Sequence, residues 1–241
     1  MRIGVLALQG AFAEHIAVLR QLGAEAVPVR LPRDLEGISG LILPGGESTT
    51  MRKLIYRWGL REPILDLARQ GAPIFGTCAG MILVAREITD GDEPVFPLLD
   101  VSVKRNAFGR QLDSFEADLL VPVLGDQPVH GVFIRAPIIE RVGPDVDVLA
   151  TLDDGRVVAV RQRNVLATAF HPELAGETRF HRLLTTMAGA FDEPEEGSGR
   201  RRHPTRRATA AAGARSHEDG TAAARNSEDG PSAAHKPEDQ R

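Results

Sequence analysis

The 241-residue chain holds a single cysteine, Cys78, so it cannot close an internal disulfide, and the cytoplasm is the expected compartment. Long apolar runs are missing too. Stretches such as 41–43 and 81–85 fall far short of the ~20 residues that cross a bilayer, so no membrane span is expected. After Met1-Arg2 the apolar run 3–8 is too short, and turns polar too soon, for a secretory signal. A formal net charge of -4 is a small acidic excess and gives no reason to expect nucleic acid or a membrane as partner. The largest absence lies at the end of the chain. From Asp192 onward there is no Val, Ile, Leu, Met, Phe, Trp, Tyr or Cys, so residues 192–241 cannot bury enough apolar surface to offset their conformational entropy. They read as a disordered, low-complexity tail with an imperfect ten-residue repeat (211–220, 221–230, 231–240) and a solvated basic cluster around Arg200–Arg202 and Arg206-Arg207. Residues 1–191 remain as the folded domain.

Within that domain, 42% hydrophobic content over the whole chain suffices for a core. Residues 2–8 read as a strand and 12–22 as a helix, followed by strands at 25–30 and 40–43. The last is continuously apolar, as strands covered on both faces are. This alternation predicts a doubly wound, mostly parallel α/β sheet. Residues 51–58 and 64–68 follow with helical spacing, with Trp58 placed on the core face. Beyond the surface connection 89–98 the pattern shifts toward strands at 101–103, 115–123, 131–134, 146–152, 157–160 and 165–170, which adds antiparallel hairpins to the sheet. A last helix, 177–190, carries Phe180, Leu183, Leu184 and Met187 inward, with His181 on its flank. His15, lacking an obvious partner, reads as a surface or interface histidine.

Chemistry concentrates at Pro73-Ile74-Phe75-Gly76-Thr77-Cys78-Ala79-Gly80-Met81, an apolar strand running through Gly-x-Cys-x-Gly into a helix at 79–86. Glycines on both sides allow the sharp turn of a nucleophile elbow, which stands the sulfur at a strand end before a helix N-terminus. Unpaired N–H groups there favour a thiolate and an adjacent oxyanion. A lone cysteine is most often just a small buried apolar residue; the glycine frame is what singles this one out.

Two other strand ends are candidates. The strand 40–43 runs into Pro44-Gly45-Gly46-Glu47-Ser48-Thr49-Thr50, where Ser48 or Thr49 suits a helix N-cap. The P-loop ending Gly-Lys-Ser/Thr is absent, so a phosphate cradle fits poorly, whereas an oxyanion donor and contacts to a small polar substrate fit well. A tight turn that simply uses glycine remains open on this stretch alone. The strand 165–170 ends at His171-Pro172-Glu173, where a histidine can reach a cysteine on a neighbouring strand and Glu173 can fix its tautomer. Arg105 and Arg135, both at strand ends, can dock a carboxylate.

Taken in order, Pro-Gly-Gly-Glu-Ser, Gly-Thr-Cys-Ala-Gly and His-Pro-Glu resemble the class I (triad) glutamine amidotransferases. Leu8-Gln9-Gly10, residues 43–50, 75–80, 105–111, 113–117 and 131–137 are similar, more closely, to the glutaminase subunits of pyridoxal 5'-phosphate synthase. The resemblance covers residues 1 to about 190. It implies a nucleophile Cys78, a base and acid His171 and an orienting Glu173, with oxyanion donors at Gly45, Gly46 and Ala79. By the same resemblance Gly46, Glu47, Ser48, Arg105, Ile134 and Arg135 bind L-glutamine, and neither a metal nor a cofactor is needed. Ammonia is then expected to pass to a separate synthase subunit within a large hetero-oligomer, which combines it with a pentose phosphate and a triose phosphate. Two alternatives are a glutaminase subunit serving another pathway and a non-enzymatic, DJ-1-like binding module.

Overall fold

The computed structural model describes residues 1–105 and 114–193. The expectations for residues 106–111, for Asp113 and for the tail beyond Glu193 lie outside them. Strand β1 (Arg2–Leu6) is followed by α1 (Phe12–Gln21), β2 (Glu25–Val29), β3 (Gly40–Leu43), α2 (Ser48–Arg57), α3 (Arg61–Arg69), β4 (Ile74–Thr77) and α4 (Ala79–Val84). The second half runs β5 (Ala85–Ile88), β6 (Leu99–Lys104), β7 (Ser114–Leu119), β8 (Val129–Ile134), β9 (Ile138–Val142), β10 (Asp147–Thr151), β11 (Val157–Gln162), β12 (Val165–Thr168) and α5 (Arg179–Asp192).

Seven strands form the main sheet in the order β10-β11-β12-β4-β3-β1-β2. Strands β2, β1, β3, β4 and β12 are parallel, and β10 and β11 extend the β12 edge as antiparallel strands. The inner strands β3, β4 and β12 are buried at every residue, which is why they read as unbroken apolar runs. The chain moves from β1 outward to β2 and then back across to β3, so the strand order reverses there, and such open sheets bind ligands at the carboxyl ends of strands near this reversal. In the β4–β12 pair Thr77 stands opposite Thr168. One residue beyond Thr77 is Cys78, and three beyond Thr168 is His171. Pairing of adjacent strands thus brings the two candidate groups to one edge.

Five of the nine phenylalanines form a column through the core. Phe75 of β4 stacks on Phe180 of α5, Phe180 meets Phe170 beyond β12, and Phe170 meets Phe133 of β8, with Phe115 of β7 at the end. This column ties the small β7–β8 sheet to the main one. Each buried ring contributes about 1.5–3 kcal/mol of burial.

Several boundaries differ from the sequence reading. The helix after the elbow stops at Val84 rather than 86, because Ala85 turns extended and opens β5, which pairs in parallel with β6. Strand β9, also unanticipated, completes that three-stranded sheet. The strand expected over 115–123 ends at Leu119, and Pro122–Leu124 form a turn of 3-10 helix, since Pro122 has a fixed φ and no N–H for a ladder. Trp58 is 44% exposed at the end of α2, beside the Arg57 guanidinium, instead of entering the core.

Candidate active site

Local geometry at the elbow follows from its glycines. Cys78 adopts φ 47 and ψ −103, a backbone region that L residues rarely enter and that the surrounding structure must hold. Its N–H donates to the Thr168 carbonyl at 2.8 Å. A Cβ at Gly76 would lie 2.5 Å from the Gly80 carbonyl oxygen, and one at Gly80 would lie 1.9 Å from that of Leu43. Glycine is therefore required on both sides for the turn to close against β3. The thiol, 6% exposed, donates to the Ile134 carbonyl at 3.8 Å.

His171 reaches the sulfur from the end of β12. Its backbone N–H donates to the Val132 carbonyl at 2.8 Å, and its ring lies flat enough against Gly45 that a Cβ there would sit 2.1 Å from Cε1. Nδ1 donates to Glu173 Oε1 at 2.8 Å. Burial opposes a charge on the ring, but hydrogen bonds and electrostatic attraction from Cys78 and Glu173 outweigh it and raise the His171 pKa above its ordinary 6.5. Burial likewise opposes ionisation of Glu173, yet hydrogen bonds from His15 and His171 hold its carboxyl well below the usual range. A thiol beside an imidazole that a carboxylate backs is an arrangement through which a proton can pass from sulfur to ring.

His15 was expected at the surface without a partner. Instead it is fully buried on the inner face of α1, with His181 of α5 buried against it. Nδ1 of His15 lies 2.8 Å from His181 Nε2, and Nε2 lies 3.2 Å from Thr77 Oγ1 and 3.4 Å from Glu173 Oε1. Burial, reinforced by His15, pushes His181 down to about 3, so it is neutral at physiological pH. The only sequence signal for this pair was that both histidines fall on helix faces otherwise lined with apolar residues.

The loop after β3 is braced from below. Ala11 N–H donates to the Gly45 carbonyl at 3.0 Å, and Glu47 N–H donates to Gln9 Oε1 at 2.7 Å. Gln9 and Ala11 thus hold this loop, a role the sequence reading did not assign. Among the described residues no backbone carbonyl accepts from the N–H of Gly46 or Ala79. Glu47, not Ser48 or Thr49, caps α2, its carboxylate accepting from Thr49 N–H at 3.3 Å and Thr50 N–H at 2.8 Å. Ser48 is already the first helical residue, which leaves the capping position to its neighbour.

The remaining expected residues are dispersed around this centre. Arg105 Nε donates to Asp90 at 2.7 Å, while Nη1 donates to Asp92 at 2.5 Å and to Thr49 Oγ1 at 3.2 Å. Ile134 and Arg135 are exposed, Arg135 with a left-handed φ of 45. A cavity of about 680 Å³, lined by residues including Thr49, Arg52 and Asp92, opens on the Arg105 side and does not include Cys78. Among the described residues no cluster of His, Cys, Asp or Glu has the geometry of a metal site.

Strand order and elbow together place the molecule among the glutamine amidotransferases. A solved structure of a glutamine amidotransferase superposes with a TM-score of 0.73 at 50% identity, covering 78% of this chain and 98% of that one. PurLQS from Thermotoga maritima, 20% identical with a TM-score of 0.57 over 80% of this chain and 99% of its own, shares the fold. Residues 5–189 match the SNO glutamine amidotransferase family, and the chain belongs to that family. It is 59% identical over 187 residues to the pyridoxal 5'-phosphate synthase subunit PdxT of Herpetosiphon aurantiacus, covering 76% of this chain and 98% of the relative. With the subunit of the same name from Moorella thermoacetica it shares 57% over 189 residues, 78% of this chain and 100% of the relative.

Proposed function

We propose that Cys78, His171 and Glu173 are the triad through which this chain, the glutaminase subunit of pyridoxal 5'-phosphate synthase, hydrolyses L-glutamine to L-glutamate and ammonia. The observation that carries the reading is the meeting of a strained thiol and a carboxylate-backed histidine at the ends of the adjacent strands β4 and β12. The Cys78 thiolate attacks the side-chain amide carbon, and His171 gives its proton to the departing ammonia. A γ-glutamyl thioester remains. His171 then takes a proton from water as that water attacks the thioester, and the proton returns to the sulfur as glutamate leaves. Glu173 holds the ring in the tautomer that both steps need.

N–H groups of Gly45, Gly46 and Ala79 are suited to the oxyanion, each contributing roughly 3 kcal/mol in the transition state. Gly46, Glu47, Ser48 and the Ile134 main chain line the substrate, with Glu47 acting through its backbone because its carboxylate is taken up in capping α2. Arg105 or Arg135 receives the α-carboxylate of glutamine. Ammonia passes to the synthase subunit within a large hetero-oligomer; nucleic acid and membrane have no part in this. The glutaminase domain is 1–191 together with Asp192, which ends α5 and accepts from Ser39 Oγ, the low-complexity tail lies beyond it, and a free nucleophilic thiol suits a reducing cytoplasm.

The test is glutamate release from glutamine by the full chain, alone and with its synthase subunit, beside Cys78→Ala. Release that rises with the partner and vanishes in the variant is expected. Release that persists in Cys78→Ala overturns the triad, and release indifferent to the partner overturns the assigned acceptor.

A further inference from the structure

We propose that His15 is a positioning residue for the thiol chemistry: its Nε2–H, backed by His181 and shared with Thr77, fixes the Glu173 carboxylate that aims His171 at Cys78. The inference rests on the triad reading above and concerns a group outside it. His15 and His181 lie 166 positions apart in sequence, and both are fully buried. Glu173 Oε2 and His181 Nδ1 are buried with no hydrogen-bond partner among the described residues, so the few contacts that are made must set how these groups sit.

Hydrogen placement follows from the neighbours. A bare lone pair on His15 Nε2 would face an ionised Glu173 oxygen at 3.4 Å and repel it, so Nε2 carries its hydrogen and points it between Glu173 Oε1 and Thr77 Oγ1. Across the 2.8 Å contact, a single hydrogen sits between His15 Nδ1 and His181 Nε2. Whichever of the two rings carries that hydrogen, the Nε2–H of His15 still points at Glu173. On the carboxylate, Oε1 is shared by His171 and His15, while Oε2 is buried with no hydrogen-bond partner among the described residues. The rotation of Glu173 is therefore set by its two histidine neighbours alone, and His15 is the one that does not move protons to substrate. It also anchors the carboxylate to Thr77, the residue before the nucleophile, so that one ring refers both ends of the triad to the same strand. The titratable groups facing this centre are Glu173 and His171 from the turn after β12, His181 from α5 and Cys78 from the elbow; β4 adds Thr77 and Phe75, which carry no charge.

The test measures kcat and KM of glutaminase activity for the full chain in complex with its synthase subunit, with thermal unfolding as a control for folding. Wild type and Cys78→Ala first establish that the activity is that of the triad, so failure there counts against the proposed function and not against His15. In His15→Leu, kcat should fall by about tenfold to a hundredfold, the range for groups that orient an active ligand from behind. KM for glutamine should stay within about twofold, since His15 does not touch substrate. His15→Gln places an amide N–H where Nε2–H was and should recover most of kcat. His15→Asn, one methylene shorter, keeps polarity but loses the reach and should resemble His15→Leu, which keeps the test decisive if the leucine variant does not fold. An unchanged kcat, a loss confined to KM, or equal impairment of the Gln and Asn variants overturns the proposal.

Discussion

Around Cys78 and His171 the polar groups are buried and located by backbone: a strand-end turn, a carbonyl on the neighbouring strand, the flat face of Gly45. Around Glu47 and Arg105 they sit near the surface and are already engaged, Glu47 with the start of α2 and Arg105 with Asp90 and Asp92. The first half is assembled by the same burial that folds the sheet, so its geometry is fixed before substrate arrives. The second half is held by contacts a substrate can exchange. Bond breaking requires alignment of reacting atoms to within a fraction of an ångström, whereas recognition of a charged substrate tolerates displacement of one partner by another. Changes in the first half should therefore appear in kcat, and changes in the second in KM.

The largest effect should come from Gly45→Ala. The added Cβ would lie 2.1 Å from His171 Cε1 and 2.8 Å from Nδ1, so the imidazole must leave its line between Glu173 and the sulfur. A displacement of about 1 Å at a catalytic group costs about a hundredfold in rate, and kcat should fall by that much or more while KM moves little. Steady-state kinetics of the complex check this. Retention of wild-type kcat would mean that the loop carrying Gly45 shifts away from His171 during turnover, and the contrast between a fixed and an exchangeable half would break.

Arg105 tests the other half. Its ion pairs with Asp90 and Asp92 are partly exposed, and such pairs contribute only about 0–1 kcal/mol. A substrate carboxylate can displace them if its own charge-assisted bond, about 1.5–3 kcal/mol, is stronger. Arg105→Ala should raise KM for glutamine by about tenfold or more with kcat within about threefold. Asp92→Asn removes a competitor and should lower KM by up to about fivefold. A higher KM in Asp92→Asn would show that Asp92 orients the arginine instead of occupying it, which would move Arg105 toward the prebuilt half of the comparison.

The two halves also differ in how far they could be read from sequence. The elbow, the Gly45-Gly46 turn and His171-Pro172-Glu173 were legible because each is a local string whose glycine or proline reports a backbone constraint, and the parallel core followed from unbroken apolar runs. His15 and His181 were not legible. Each reads as a polar residue on an amphipathic helix, and only the packing of α1 and α5 against β4 shows that the two rings meet. Strands β5 and β9 escaped because they lie in a small mixed sheet where alternation is weak, with bulges in both pairings. Glu47 was expected only as a glutamine contact, yet its carboxylate serves the helix; a cap one residue upstream of Ser48 cannot be told from substrate contact without the backbone angles.

Glu47→Ala, the smallest expected effect, decides between these two uses of the side chain. Loss of a side-chain N-cap typically lowers stability by about 1 kcal/mol. In a chain of this size that corresponds to a fall of about 2–4 °C in the unfolding midpoint. Because the Glu47 N–H to Gln9 contact belongs to the backbone, it survives the substitution, and the loop should keep its path. KM for glutamine should then change by less than about threefold once the assay is run well below the new midpoint. A large KM increase with an unmoved midpoint would assign the carboxylate to glutamine after all. In that case α2 must find another cap in the working complex, and Glu47 would join Arg105 as a group that trades an internal partner for the substrate.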